Sequence, residues 1–401
     1  MRVAIVGGGI GGCALALSLH AAHLGGIEVF ESSQLGSELG VGINVLPHAV
    51  RELTELGVVD AIGAQAIHTG ALALHNRFGQ RIWTEPRGVA AGYRWPQWSI
   101  RRSTLFEGLR TAVIDRLGRH RYHVGARVTT DSLAAMSTEF DVVVGCDGVH
   151  SSVREWLMPD EGPPLWNGVT MWRGTTEMAP FLDGRTMVMA GVVRHRMVVY
   201  PICDLPGGRQ VVNWVAEVRT EDGRPMPRQE WNQRAEVAEP LRHFAEFRFD
   251  WLDVPAMIAA APAVLTYPMV DREPLRTWRR GNVTLLGDAA HPMYPVGSNG
   301  ASQAIIDARV LARALALEPS VEGALLAYEA ERVPATAAVV RANRKAGPEQ
   351  CMELVAERAP NGFDRLDDVI GAHELERIAA GYRTLAGFDP TVLNERPSLS
   401  V

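Results

Sequence analysis

The stretch RVAIVGGGIGGCALALSLHAA, Arg2 to Ala22, changes character twice. Arg2 to Val6 is a short apolar run suited to a buried strand, and from Cys13 onward the apolar spacing and strong helix formers predict a helix. Between them Gly7, Gly9 and Gly12 occupy the G-x-G-x-x-G positions, with Ile10 and Gly11 inside the turn. Missing side chains there permit a tight turn, close approach of a pyrophosphate and close packing of helix on strand. A second apolar run, IEVFE, ends at Glu31, about twenty residues beyond the glycines, where a carboxylate can accept hydrogen bonds from an adenosine ribose. A glycine turn alone also serves purely structural ends, but strand, turn, helix and distal acid together predict a Rossmann-like dinucleotide site. An acid at that strand end favours an unphosphorylated ribose, as in FAD or NAD, and leaves the two undivided.

With 401 residues, 47% of them hydrophobic, the chain can bury the cores of two intimately joined domains. A formal net charge of -6 without a dense basic run argues against nucleic acid or an anionic membrane as partner. The cysteines, Cys13, Cys146, Cys203 and Cys351, form no C-x-x-C pair, so no metal site is expected and a reducing cytoplasm fits. The opening residues lack the pattern of a signal peptide and no apolar run reaches spanning length, so a soluble chain is expected. Lys345, the only lysine, sits in an Arg-rich helical stretch and is a poor candidate for Schiff-base chemistry. Small-molecule chemistry of another kind is expected.

Two later segments repeat the strand-then-turn theme. DVVVGCDGVHSSVRE, Asp141 to Glu155, reads as a buried strand, an acid-glycine turn at Asp147-Gly148 and a helix. LLGDAAHPMYPVGSNGASQAIIDA, Leu285 to Ala308, joins an apolar run ending at Gly287-Asp288 to a helix beginning near Gly300. Its Gly, Pro and Asn-rich loop leaves backbone N–H groups for a ligand's polar edge. From about Pro163 to Asp271 the pattern alternates as in strands (VTMWRGTTE, RTMVMAGVV, HRMVVYPI, QVVNWVAEV), which predicts a mixed sheet. Trp172, Tyr200 and Trp214 are candidates for a flat aromatic-binding wall there, and each is equally suited to plain core. The terminal ERPSLSV is expected to be mobile.

The glycine fingerprint, the CDG turn followed by Arg154, and GDAAHPMYPVGSNGASQAI together resemble the class A FAD-dependent aromatic hydroxylases, the group of p-hydroxybenzoate and salicylate hydroxylases. LGVGINVLPHAV, TMWRG and YPMVDR particularly resemble the phenazine-carboxylate-modifying monooxygenases among them. The resemblance covers residues 1 to about 345, and the tail beyond resembles nothing usable. It implies an α/β fold in which a Rossmann-like FAD-binding domain (1–70, 98–162 and 276–345) is interleaved with a mixed-sheet substrate domain (71–97 and 163–275), followed by C-terminal helices (346–401). It further implies FAD, with NADH or NADPH as transient co-substrate, and hydroxylation of a planar aromatic acid by dioxygen through a flavin C4a-hydroperoxide. Residue by residue, Gly9 to Gly12 and Glu31 would hold the adenosine half, with Ser32 standing where many relatives carry Arg. Arg102 would reach the pyrophosphate or flavin, and with Arg127 and Val128 could serve the adenine side. Asp288 beside Gly287 would bind the ribityl chain. Val41, Gly42, Ile43 and Asn44, together with Pro295, Gly297, Asn299 and Gly300, would border the isoalloxazine ring, and Asp147-Gly148 would serve the FAD or the nicotinamide route.

Each assignment has a plainer competitor. Asp288 could simply close a turn, as Asp often does. His291 either lines the substrate cavity or ties down its loop, and no residue is assigned as catalytic base. Arg154 is at least as suited to a structural pairing. The helix from Gly300 is partly ordinary core, yet its amino end would stabilise negative charge on a reduced flavin. A monomer or homodimer acting on a small aromatic substrate and O2 is expected, against the rivals of a flavin dehydrogenase and a noncatalytic ligand-binding protein.

Overall fold

The computed structural model describes residues 1–34, 41–192, 194–219, 233–345, 349–387 and 389–401; Ala346, where the C-terminal region was expected to begin, lies outside them. Five parallel strands form one sheet in the order Val283–Leu285, Val142–Gly145, Val3–Val6, Ile27–Glu31, Tyr122–Val124. Their side chains are mostly aliphatic because helices cover the sheet, as parallel sheets require. The helix Ile10–Ala21 buries every residue from Gly12 to Leu19 between the sheet and the helices Arg102–Leu117 and Gly300–Leu317. Helix Gly300–Leu317 is buried nearly all round and runs on to Val321–Arg344, which caps it from outside.

The described residues of 163–271 fold as the alternation predicts. A mixed sheet runs in the order Gln233–Ala235, Val264–Asp271, Leu165–Met178, Arg209–Arg219, His195–Leu205, Thr186–Val192, Ala71–His75, Arg81–Pro86. All its pairings are antiparallel except Thr186–Val192 with Ala71–His75. Register assigns the faces, since residues two apart in a strand share one. Trp172, Trp214, Val212 and Ala216 pack on one face under the helices Ala238–Phe244 and Val254–Ala259. Met171, Tyr200, Val215 and Tyr267 lie on the other, with Val41, Tyr294 and Val296. The parallel sheet and the mixed sheet therefore meet across a seam made by the loops after Val41 and Asp288. A small antiparallel sheet, Gly42–Val45, Trp98–Arg101 and Ile67–His68, bridges them.

The C-terminal residues were expected to be mobile, but they pack and hydrogen-bond against the body of the fold. Leu399 is buried in the core of the parallel-sheet half. Arg51 donates through Nη1 to the Leu393 carbonyl (2.9 Å) and through Nη2 to that of Arg396 (2.7 Å). Arg309, itself paired with Glu52 (3.1 Å), reaches the Ser400 hydroxyl at 2.6 Å. Satisfying the buried charges Glu52 and Arg309 needs these partners, which outweighs the entropy of a free terminus. A local reading of ERPSLSV cannot see groups as far as 345 residues away in sequence.

Candidate active site

Parallel strands deliver their carboxyl ends to one edge, and four of the anticipated segments follow from that alone. The register places Val6 beside Phe30 and Gly145, and Gly145 beside Leu285, so Gly7–Gly12, Glu31, Asp147 and Asp288 all leave the same side of the sheet. Val128 lies just past the strand Tyr122–Val124, and Ala126 N–H donates to the Glu31 carbonyl at 2.8 Å. Glu31 is half-buried, accepting from Gly8 N–H (2.8 Å) and Ser33 N–H (2.7 Å), while Ser32 is exposed.

The glycines of the turn serve different ends. Gly7 has φ +101°, and a Cβ there would lie 2.4 Å from the Cys146 carbonyl oxygen; one at Gly12 would lie 1.9 Å from that of Gly7. One at Gly11 would lie 2.9 Å from Leu286 Cδ2, so that glycine serves close packing of helix on strand. A Cβ at Gly9 would meet nothing within 4 Å, and its φ of -69° suits any residue. Nothing among the described residues requires glycine at Gly9, whereas close approach of a pyrophosphate does. Two side chains that sequence reasoning missed clasp the turn from behind: Tyr122 OH donates to the Gly8 carbonyl at 2.9 Å and Cys13 Sγ at 3.0 Å. Burial pushes the Cys13 thiol up to about 12, so it stays a neutral donor.

The ring-side loop is equally open to a ligand. Asp288 is exposed and makes no side-chain hydrogen bond with the described residues, which leaves its carboxylate available as an acceptor. A Cβ on Gly300 would meet only Asp288 Oδ1, at 3.8 Å. Asn299 does not cap the helix Gly300–Leu317; its Nδ2 donates to Tyr382 OH at 2.9 Å, and the first-turn N–H groups keep no side-chain cap. That end of the macrodipole suits negative charge. The hydroxyl of Tyr382, from the tail that carried no legible chemistry, lies 2.8 Å from Asn343 Oδ1 and 3.2 Å from the Val296 carbonyl, two acceptors within reach of its one proton, and its ring packs on Gly297 (φ +67°). Gly42 N–H donates to Asn213 Oδ1 at 2.6 Å, and its carbonyl accepts from Arg173 Nη2 at 3.0 Å, pinning the loop Val41–Asn44 to the mixed sheet. The Asn44 side chain bonds Ser99 Oγ (2.6 Å) and Ser298 Oγ (3.4 Å), so it joins the two ring-side loops. Arg102, exposed at the start of its helix, donates its backbone N–H to the Val41 carbonyl (2.9 Å).

Three expectations are corrected by the packing. His291 ties down its loop: it is 3% exposed and its Nε2 lies 2.5 Å from Asp307 Oδ2. Asp307 also accepts from Arg332 Nε (2.6 Å) and Gly287 N–H (3.1 Å). Burial alone would raise the Asp307 carboxyl, but His291 and Arg332 hold it down to about 2. Trp172 and Trp214 face away from the ring-side loops, for the period-two reason given above. Trp172 Nε1 donates to Glu239 (3.1 Å), Trp214 Nε1 to Thr176 (3.2 Å). Asp147 turns its carboxylate to the helix Ser152–Leu157, accepting from Ser152 N–H at 2.8 Å, so only the Asp147-Gly148 backbone is offered to a ligand. Arg154 is structural: Nη1 donates to the carbonyls of Ala289 (2.9 Å) and Ala290 (2.7 Å), and it pairs with Glu161.

Tyr200 remains on the site face. There, Arg173 Nε and Asn213 Nδ2 are buried without a hydrogen-bond partner among the described residues, and Arg173 lies over the Tyr267 ring at 5.8 Å. Farther along the same face a cavity of about 420 Å³ opens between Val296, Tyr294 and Met269. Burial and the neighbouring Asp271 push the Tyr294 hydroxyl up to about 12.

These residues fit a flavin dinucleotide: two glycines that only a ligand explains, an unshared acceptor at Asp288 and an uncapped helix end. Residues 1–343 match the FAD binding domain family, and the chain belongs to it. Over 362 residues it is 42% identical to the phenazine 1,6-dicarboxylic acid hydroxylase of Lysobacter antibioticus, covering 85% of this chain and 89% of that protein. It is 31% identical to a 3-amino-4-hydroxybenzoate 2-monooxygenase of Streptomyces platensis, covering 95% and 98%. A salicylate hydroxylase substrate complex shares the fold at TM-score 0.74 and 22% identity, covering 100% and 99%. So does Klebsiella pneumoniae HpxO bound to FAD and uric acid, at 0.71 and 23%, covering 98% and 97%. The chain is an FAD-dependent aromatic monooxygenase of the class A type. Among the described residues no helix is long and apolar enough to cross a membrane.

Asp288→Ala should lower the flavin content of the purified protein while leaving its melting temperature without FAD unchanged, because the substitution removes an exposed acceptor and no core volume. Absorbance at the flavin band against protein concentration checks this; full occupancy would return Asp288 to a turn residue.

Proposed function

We propose that this chain hydroxylates a planar aromatic carboxylate, a phenazine carboxylate being the first candidate, with NAD(P)H and dioxygen. The observation that carries the reading is the cluster of Arg173, Tyr200 and Asn213 on the ring-side face, where the buried Arg173 Nε and Asn213 Nδ2 have no hydrogen-bond partner among the described residues. A guanidinium with a free donor in such a place is made for a carboxylate. The relatives named above act on aromatic acids, which supports the same class here.

In this reading residues 1–70, 98–162 and 276–345 form the FAD-binding part, and 71–97 and 163–275 the substrate part. Bound FAD supplies hydride acceptance and oxygen activation. Glu31 holds the adenosine ribose, and the backbone from Gly9 to Gly12 with Arg102 holds the pyrophosphate. Asp288 accepts from the ribityl hydroxyls. The amino end of helix Gly300–Leu317 stabilises negative charge on the reduced ring. Pro295 to Gly300 and Val41 to Asn44 border the ring, and Arg173 orients the substrate carboxylate so that an electron-rich carbon faces it. The apolar wall of Met171, Val215 and Val296 excludes water from the oxygen-transfer step. In this reading the chain works in the cytoplasm as a monomer or homodimer, a setting that suits cysteines joined in no disulfide.

Turnover under isotopically labelled dioxygen tests the reading. Aromatic acids should stimulate NAD(P)H oxidation, and the product should carry one labelled oxygen atom. Stimulation by neutral aromatics alone would remove the carboxylate, and an unlabelled product would remove the hydroxylation.

A further inference from the structure

We infer that Tyr382 is a positioning residue for the flavin: its hydroxyl holds the Asn299 side chain off the amino end of helix Gly300–Leu317, so that the N–H groups there stay open to the ring. The inference rests on the reading that Pro295 to Gly300 borders the ring, and deepens it. Asn is among the strongest helix-capping residues, because from an extended backbone its side-chain oxygen can accept from first-turn N–H groups. A cap of that kind would occupy the donors that the ring needs. Asn299 stands at the capping position, yet its backbone is helical (φ -90°, ψ -25°) and its side chain makes no capping bond.

Tyr382 accounts for that. Its OH accepts from Asn299 Nδ2 at 2.9 Å, with Asn343 Oδ1 (2.8 Å) and the Val296 carbonyl (3.2 Å) within reach of its proton. Burial pushes the Tyr382 hydroxyl up, so it keeps that proton and stays a neutral partner. Asn299 Nδ2 also donates to the Gly297 carbonyl (3.3 Å), and Gln303, whose Nε2 lies 3.5 Å from Asn299 Oδ1, is itself tied to the Ala386 carbonyl of the same tail (3.2 Å). The loop between is strained. Gly297 (φ +67°) and Ser298 (φ +57°) are successive left-handed residues, a conformation that a serine seldom adopts and that persists only where its surroundings impose it. The Tyr382 ring fills the space over Gly297, where an added Cβ would collide with it, and Asn44 Nδ2 holds Ser298 Oγ from the other side (3.4 Å). Without the Tyr382 hydroxyl, Asn299 loses its tie to the tail, and relaxation of the loop turns its side-chain oxygen to the open N–H groups.

The test titrates FAD into the full-length apoprotein by flavin fluorescence and measures the midpoint potential of the bound flavin. Tyr382→Phe keeps the ring over Gly297 and removes only the hydroxyl. It should raise the FAD dissociation constant about tenfold, the effect of one cap competing for the helix end. It should also weaken retention of the reduced ring relative to the oxidised one about tenfold, a midpoint potential about 30 mV lower for two electrons. Asn299→Ala should leave both quantities at the values of the unmodified chain. Combined with Tyr382→Phe it should restore them, because no capping side chain remains, and a tyrosine with a merely structural role would show no such rescue. Unchanged affinity and potential in Tyr382→Phe overturn the inference, as does a double variant no better than Tyr382→Phe alone. Loss of flavin from Asn299→Ala overturns it without any change at Tyr382. In those cases the placement of the ring stands. Full flavin content in Gly300→Val takes the ring away from this helix end and overturns both.

Discussion

Gly300→Val protein should purify with less than about a tenth of the FAD of the unmodified chain, a loss of at least about 1.4 kcal/mol in binding. Packing within the protein predicts no such loss. An added Cβ at Gly300 meets only Asp288 Oδ1 at 3.8 Å, and the backbone there needs no positive φ. The expected defect comes entirely from a ligand that must lie against the helix end, where a branched side chain would displace it from the N–H groups. Gly381 supplies the control, since a Cβ there also meets nothing within 4 Å, yet it lies on an exposed stretch of the helix Ala372–Leu385. Gly381→Val should keep its full complement of flavin. Equal flavin content in the two variants would make the loop before Gly300 a structural turn and nothing more.

Asp307→Ala should destabilise the fold by about 3–5 kcal/mol, the range for removing one member of a buried charge pair. The variant strands the Arg332 guanidinium, His291 and the Gly287 N–H, all of which converge on Asp307 in an apolar setting. Denaturant unfolding with and without FAD measures the effect. The acid dependence follows from the same group. Its carboxyl is held at about 2 when folded, below its ordinary value near 4, so the stabilisation is complete above about pH 4 and is lost as pH falls toward 2. Asp307→Asn should remove that part of the acid transition. His291→Ala should likewise cost stability while leaving KM for the aromatic acid unchanged, since the ring is enclosed against Trp278 and Asp307. A large KM change with intact stability would move His291 back into the substrate site.

The sequence by itself determined the nucleotide half of this protein. The strand Val3–Val6, the glycine turn, Glu31 and the strand before Asp288 are local patterns whose meaning does not depend on distant residues. In a parallel sheet their carboxyl ends reach one edge wherever the intervening chain goes. The alternation of residues 163–271 likewise announced strands, but a strand pattern reports two faces without saying which one meets the ligand. Only the tertiary structure decided that Tyr200 and Arg173 face the ring-side loops while Trp172 and Trp214 face helices. That choice depends on which sheet surface docks against the flavin half. It also decided that His291 and Asp147 complete buried networks and helix ends, because their partners Asp307 and Ser152 satisfy them in the fold. The tail shows the limit most plainly. Tyr382 and Leu399 sit in no motif, and their roles arise because buried groups at Asn299, Glu52 and Arg309 need partners that only a chain folded back from its far end can bring.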